Sequence, residues 1–526
     1  MTPDIITVAQ MAQADATTIA QGTPGFQLMQ SAGRAVAEAL MQRWSPRPTA
    51  VLCGPGNNGG DGWVIAQVLR SAGWPVTVLS LVAPDALRGD AALAAQAWLE
   101  AKQPTPESNA DAYAHAHAHA HAAWQPMAPG GLDGMALVVD ALFGAGLSRP
   151  LDGMPRDVLS RAHALGLPIV AVDVPSGVWG DTGVADGAVP CALTVTFFRI
   201  KPAHALMPGR ALCGEVVVAD IGIPEAVLGE LRVQAWDNQP AVWRGQWPEV
   251  DVAGHKYHRG HALVWSGPLM TGAARLSALA AARSGAGLTT VCVPQQAWAV
   301  QAAALTSVMV HPVAGEGATQ WQSGLESLLN DHRLSAVLIG PGALGGTQAS
   351  GLKGLVLTML ASGRPVVLDA DALTVFADDP TLLFAAIAGH IRPVVMTPHD
   401  GEFARLFRNP AVATETDKLS RARAAARLSG AVVVLKGADT VVAAPDGRAT
   451  INRHAPPWLA TAGAGDVLAG MVLGLLAQGM PAWQAASAAV WLHGDAASVF
   501  GPGMIADDLP AAIQQALQRL HGRSVN

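Results

Sequence analysis

Thr461-Ala-Gly-Ala-Gly-Asp466 runs without a break into an apolar stretch from Val467 to Gln478. A glycine-rich turn that opens a helix lets the backbone pass close to an anion with its N–H groups pointing inward, and the helix N-terminus adds partial positive charge. A carboxylate is the wrong group for holding phosphate there. Asp466 suits a different task, the removal of a proton from a hydroxyl that attacks a terminal phosphate. Taken alone, the stretch reads equally well as a helix cap, so its companions along the chain decide it.

Four companions each follow a short β-like run: Gly340-Pro-Gly342, Asp369-Ala-Asp-Ala-Leu373, Thr397-Pro-His-Asp-Gly-Glu402 and Lys436-Gly-Ala-Asp-Thr440. The expected strands of this half are 262–265, 289–293, 336–339, 365–368, 394–396, 431–435 and 440–443. Helices are expected at about 271–284, 464–478 and 482–499, the last two apolar enough to lie in the core. Loops that follow strands gather at one edge of a parallel sheet, where ligands bind.

The first half shows the same alternation. Strands at 50–53, 76–82, 136–140, 169–173, 193–197 and 215–220 interleave with helices at 26–43, 62–72 and 91–101, which predicts a parallel sheet covered on both faces. Three strands lead into polar loops: Gly54-Pro-Gly-Asn-Asn-Gly-Gly-Asp-Gly62, Asp140-Ala-Leu-Phe-Gly-Ala-Gly-Leu-Ser-Arg-Pro150 and Asp173-Val-Pro-Ser-Gly177. In a parallel sheet the three converge on one cleft. Asn58, Asp140, Asp173 and Ser176 offer oxygens that suit a hard cation, although an Asp at a strand end also caps turns. Lys201, in Arg199-Ile-Lys-Pro202, is either a surface charge after a strand or a desolvated amine that titrates nearer neutrality and partners Asp173.

Composition bounds the rest. At 526 residues, half of them hydrophobic and 14% charged, the chain fits two well-buried domains. A Trp-, Pro- and Gln-rich break at 236–252 places the division, giving domains 1–240 and 241–526. The net charge of −7 offers no basic footprint for nucleic acid. Cys53, Cys191, Cys213 and Cys292 have no C-x-x-C spacing, so neither a disulfide framework nor a zinc site is indicated. No apolar run approaches the roughly eighteen residues of a membrane span, and the N-terminus lacks a basic, apolar leader, so a soluble cytoplasmic protein is expected. The alternating Ala-His run at 114–121 reads as a metal-binding tract or a tolerated surface insertion. Only six of the 33 basic residues are lysines, and Lys201, Lys256 and Lys436 fall inside the motifs. Lysine is a compact, titratable charge, which sets these three apart from the arginines.

The first three loops resemble those of the NAD(P)H-hydrate epimerases, over most of residues 5–225. That resemblance implies a Rossmann-like three-layer αβα domain that interconverts the R and S hydrates of NADH and NADPH at C6 of the nicotinamide. It further implies that Asn57, Asn58, Gly59, Gly60 and Asp61, with Gly144, Ala145, Gly146, Leu147, Ser148, Arg149, Pro150 and Asp173, line the hydrated nucleotide. Asn58, Asp140 and Ser176 match potassium ligands, and Asp173 with Lys201 would exchange the protons. Gln30-Ser-Ala-Gly33 stands where the family usually has Glu-Asn-Ala-Gly.

The five motifs of the second half look like the ribokinase-like fold, and more closely the ADP/ATP-dependent NAD(P)H-hydrate dehydratases, over about 255–518. Carried across by position, Lys436, Gly437, Ala438, Asp439, Thr440 and Gly465 would hold ADP or ATP with magnesium. Gly285, Gly342, His399 and Asp466 would contact the S hydrate. Phosphorylating the C6 hydroxyl, with Asp466 as general base kept ionised by the helix N-terminus, turns a poor leaving group into phosphate. Trp265-Ser-Gly-Pro-Leu269 and 452–459 depart from the family's small-residue loops. The whole is expected to be a homo-oligomeric repair enzyme acting on NADHX and NADPHX, without nucleic-acid or membrane partners. Two other readings compete. An ordinary small-molecule kinase would leave a stable phosphorylated product, and a non-catalytic first domain would lack Asp173 or the Asn-Asn-Gly-Gly-Asp loop.

Overall fold

The computed structural model describes residues 2–101, 124–249, 251–344 and 348–522. The His run at 114–121 lies outside them. Two compact units divide the chain, Met1–Val233 and Gln234–Asn526.

In the first unit, strands β1 (Thr49–Cys53), β2 (Val76–Ser80), β3 (Gln125–Pro126), β4 (Leu137–Ala141), β5 (Ile169–Val172), β6 (Leu193–Phe197) and β7 (Glu215–Ala219) pair in the order β3-β2-β1-β4-β5-β6-β7. Every pairing among them is parallel. The central strands β1, β4, β5 and β6 are buried along their whole length, as strands covered on both faces must be. Chain direction reverses across the sheet between β1 and β4, so a crevice opens beyond their C-terminal ends. There Gly54 lies so close to the Leu142 carbonyl that no side chain fits.

One expectation is corrected at this edge. The helix after β1 begins at Asn57, not Gly62, and runs to Ser71. Asn-Asn-Gly-Gly-Asp61 is therefore the helix's first turn, made possible because Gly59 packs directly on the Gly54 carbonyl.

The second unit contains β8 (Ala235–Asp237), β9 (His261–Trp265), β10 (Leu288–Pro294), β11 (Met309–Val313), β12 (Ala336–Ile339), β13 (Val366–Leu368), β14 (Val394–Met396), β15 (Val432–Leu435), β16 (Val441–Ala443) and β17 (Ala449–Ile451). Their order is β8-β17-β16-β15-β14-β13-β12-β9-β10-β11. From β11 to β15 all pairs are parallel, β15-β16-β17 is antiparallel, and β8 returns parallel to β17. The reversal of direction falls between β9 and β12, where Gly267 abuts the Gly342 carbonyl.

The break expected at 236–252 is no linker. β8 closes the sheet edge, Trp243 is fully buried, and Trp236 and Trp247 pack on the same core. Tryptophans that blur a sequence period are here core residues, so the second unit starts ahead of residue 241.

Helix Ala464–Ala477 is buried almost throughout and packs on helix Thr271–Arg283. The close approach rests on Gly470 and Gly474, one turn apart, which sit against the backbone carbonyls of Ser277 and Ala281. A Gly470→Ala methyl would overlap the Ser277 carbonyl, which costs about 1–3 kcal/mol when a packed core must shift. Differential scanning calorimetry should show the second unit's transition lowered by roughly 2–4 °C per kcal/mol lost. An unchanged transition would mean that the two helices are not in register as described.

Candidate active sites

In the first unit the C-terminal ends of β1, β4, β5 and β6 bring one lysine and several carboxylates together. Lys201 Nζ lies 2.8 Å from Asp173 Oδ1, and the lysine is only 1% exposed. The same ammonium donates to Thr196 Oγ1 at 2.9 Å and to the Phe197 carbonyl at 3.2 Å. Thr196 in turn donates to Asp173 Oδ1 at 2.9 Å, and the Ala145 N–H donates to Oδ2 at 3.0 Å. Both oxygens of Asp173 are thus engaged. Its backbone sits at φ 67°, the left-handed region that Asp enters more readily than most residues, and His204 Nε2 meets its carbonyl at 2.8 Å.

Burial alone would raise the Asp173 carboxyl, but Lys201 beside it brings it down to about 2. His204 is lowered as well, since burial and the neighbouring Lys201 take its imidazole to about 4, leaving it neutral. Asp61, also buried, is pushed well up by desolvation and by the charges of Asp173 and Asp15. Asp15, on helix Val8–Ala20, is raised to about 6 by burial, with Lys201 opposing and Asp173 adding to the shift.

Next to this cluster, Asp140 accepts from Ser176 twice, from the N–H at 2.9 Å and the hydroxyl at 2.7 Å. A further bond comes from the Leu142 N–H at 3.3 Å. Asp140 is buried, and desolvation raises its carboxyl. No cationic side chain pairs with it among the described residues, and Asn58 Nδ2 is buried without a hydrogen-bond partner. A buried carboxylate, a hydroxyl and an amide oxygen are donors of the type a hard cation takes. Gly144 and Ala145 lie against Asn58 and Asp173, whereas Ser148, Arg149 and Pro150 stand exposed at the rim.

In the second unit the corresponding lysine is Lys436. Its Nζ lies 2.9 Å from Asp369 Oδ1 and 4.0 Å from Glu402 Oε2. Burial works against its charge, yet Asp369 and Glu402 raise its pKa overall. Gly465 leaves room for that ammonium, which would stand 3.3 Å from a Cβ added there. One residue on, Asp466 occupies the first turn of helix Ala464–Ala477, after Gly463 at φ 87°. Burial, and then the charge of Asp369, raise the Asp466 carboxyl to about 6. The helix N-terminus was expected to favour the ionised form; desolvation and the surrounding carboxylates work against it.

The flanking loops are tied to one another. Asp371 Oδ2 accepts the Leu344 N–H at 2.8 Å, and Gly342, at φ 64°, packs on the Met270 carbonyl. His399 caps helix Asp400–Leu406, with Nδ1 accepting from the N–H groups of Gly401 at 2.9 Å and Glu402 at 3.3 Å. Its Nε2 remains toward Glu402 Oε1 at 3.4 Å. Thr440 Oγ1 closes the turn at Gly437. Asp439 is paired at 2.8 Å with Lys418 Nζ, which also donates to the Lys436 carbonyl at 3.0 Å.

Gly285 is not brought to this edge. It precedes β10 at the opposite, N-terminal end of the sheet and packs on Gln478, just past the far end of the helix that Asp466 begins. Sequence reasoning missed Asp15, which lies in no motif, and Lys418, whose i, i+21 partner is invisible to local spacing. The scarcity of lysine, read above for Lys201, Lys256 and Lys436 alone, is the one signal that could have found Lys418.

Comparisons with known proteins fit this geometry. Residues 262–519 match the family described as NAD(P)H-hydrate dehydratase, and residues 25–203 match the YjeF-related protein N-terminus. The bifunctional NAD(P)H-hydrate repair enzyme of Moorella thermoacetica is 36% identical over 505 residues, covering 94% of this chain and 91% of that protein. The Escherichia coli enzyme of the same description is 35% identical over 501 residues, covering 93% and 89%. Among solved structures, the ADP/ATP-dependent NAD(P)H-hydrate dehydratase of Bacillus subtilis, co-crystallised with ATP and magnesium, aligns at 28% identity. Its TM-score is 0.46, with 54% of this chain and 98% of that one covered. With two lysine-centred clefts, one in each unit, and near full-length relatives at this identity, the chain belongs to the family of bifunctional NAD(P)H-hydrate repair enzymes.

Proposed function

We propose that the first unit equilibrates the R and S hydrates of NADH and NADPH in the Asp173–Lys201 cleft, and that the second dehydrates the S form at Asp466 at the expense of ADP or ATP. The observation that carries this reading is the position of Asp466. It stands on the first turn of a buried helix, one residue past the glycine that makes room for the Lys436 ammonium. A carboxylate with a pKa of about 6 is ionised at neutral pH yet basic enough to take a proton from the C6 hydroxyl as it attacks the donor phosphate. Lys436, released from Asp369, would neutralise charge on the transferring phosphoryl group, and the Gly463–Gly465 N–H groups would face it. The ring nitrogen then expels phosphate from C6, and loss of a proton from C5 of the resulting iminium ion restores the dihydronicotinamide.

Gly342 and His399 would border the substrate, the imidazole through Nε2. The loop of Lys436, Gly437, Ala438, Asp439 and Thr440 would hold the donor, with Asp439 acting through Lys418 on loop shape. Magnesium supplies charge on the donor phosphates when bound. In the first unit Asn57 to Asp61 and the 144–150 loop would grip the nucleotide. Asn58, Asp140 and Ser176 would hold potassium, whose charge offsets the buried Asp140.

Mixed NADH hydrates supplied with ADP or ATP test both activities, read as recovery of dihydronicotinamide absorbance. Asp466→Asn should abolish recovery, by about 100-fold or more, while epimer exchange continues. Because the base must be unprotonated, dehydration of the pure S hydrate should rise with pH through about 6 and then level. A flat profile there rules out Asp466 as the base. In Asp173→Asn only the S fraction should recover rapidly, and undiminished R conversion would remove Asp173 from the mechanism. Exchanging potassium for a bulky organic cation should slow epimerisation and leave S dehydration unaltered in the presence of magnesium; equal rates in both salts would count against the potassium site.

A further inference from the structure

The Asp173–Lys201 pair is badly placed to exchange protons. Lys201 is enclosed, and its three hydrogens meet Asp173, Thr196 and the Phe197 carbonyl. Asp173 already receives Lys201, Thr196 and the Ala145 N–H on its two oxygens. A carboxylate held this way stays charged and stays still, which suits it to face a developing cation.

Another acid, Asp15, lies on helix Val8–Ala20. The chain entering that helix is fixed to the cleft's own segments. The Ile6 N–H donates to the Ile200 carbonyl, the residue before Lys201, at 3.0 Å. Thr7 and Gln10 form a reciprocal capping box, and the Val8 N–H donates to Asp181 Oδ1 at 2.7 Å. Val8 and Ala145 of the substrate loop pack together against Gly180. Two turns along, and so on the same helix face as Val8, Asp15 is half-buried beside the buried Ala14, and the charges of Lys201 and Asp173 act on it as its own acts on Asp61. Among the described residues its carboxyl makes no hydrogen bond or ion pair. The charged groups that act on it or that it acts on are Asp173, Asp61 and Lys201.

We propose that Asp15 is the proton carrier of the epimerisation, with the Asp173–Lys201 pair as the fixed charge that stabilises the ring cation. The hydrate is an N-substituted hemiaminal, so the ring nitrogen's lone pair can expel the C6 oxygen once it is protonated. Asp15 gives its proton to the hydroxyl, the C6–O bond breaks, and water leaves an iminium ion facing the Asp173 carboxylate. Water then forms the C6–O bond from the opposite face, and the proton it sheds returns to the Asp15 carboxylate through solvent. Atoms and charge balance with water as the only co-reactant. A carboxyl poised near pH 6 matches this double duty far better than one held near 2.

This inference rests on the epimerase reading of the first unit, and its test separates the two. The full-length chain is given pure R hydrate, and the rate of R loss is followed by chromatography above the spontaneous background. Dehydration of pure S hydrate by the same preparation serves as the folding control. Wild-type chain that fails to consume R overturns the epimerase reading itself. Given active wild type, Asp15→Asn should slow R loss by about 100-fold or more, with the melting profile and S dehydration retained. Asp15→Glu should keep measurable epimerisation but move the limb by which activity falls as pH rises past about 6. Asp15→Asn within threefold of wild type, or Asp15→Glu with an unmoved limb, overturns the proposal. So does loss of the same limb in Asp61→Asn alone, which would give the role to Asp61.

Discussion

Each unit is built round one lysine, buried in the first and partly buried in the second, that faces more carboxylate than it can neutralise. Lys201 pairs with Asp173, whose charge also acts on Asp61 and Asp15, and Lys436 faces Asp369, Glu402 and Asp466. In a desolvated cleft the closest carboxylate takes the lysine and is fixed as an anion. A more distant one is left with surplus negative charge and little water, so its proton is held until near neutral pH. That division yields one static charge and one exchangeable proton from the same residue type. Asp15 and Asp466 both come to about 6 this way.

Such clusters are expensive to assemble, and the backbone determines where they can form. In each sheet the point where strand order reverses is closed by glycine on carbonyl, Gly54 on Leu142 and Gly267 on Gly342. These contacts draw the strand ends together and leave the crevice beyond them for the ligand. Gly470 and Gly474 do the same work at the helix that carries Asp466, seating it on helix Thr271–Arg283 so that its first turn points at the crevice.

Much of this was legible because it is local. A strand followed by Asp, Gly and Asn is a pattern of adjacent residues, and burial on both faces gives valine-rich runs that stand out. Strand β11 was missed because Met309–Val313 is a half-exposed edge strand carrying His311 and Pro312, and β17 because three residues show no period. The helix start at Asn57 was missed because Asn, Gly and Asp normally argue for a loop, and only the Gly59–Gly54 contact makes a helical turn of them. Gly285 was assigned to the wrong end of the sheet, since Ser284-Gly-Ala-Gly carries the composition of a ligand loop but precedes its strand.

The sequence by itself determined the two α/β units, the motif loops and the chemistry those loops can perform, because each depends on residues within a few positions of one another. The tertiary structure alone decided which carboxylate is pinned and which is free to exchange a proton. A pKa is set by distance to charge and by loss of water, and both come from elements far apart in the chain. Asp15 meets Asp61, Asp173 and Lys201, and Lys436 meets Asp369 and Glu402, only once the strands are aligned.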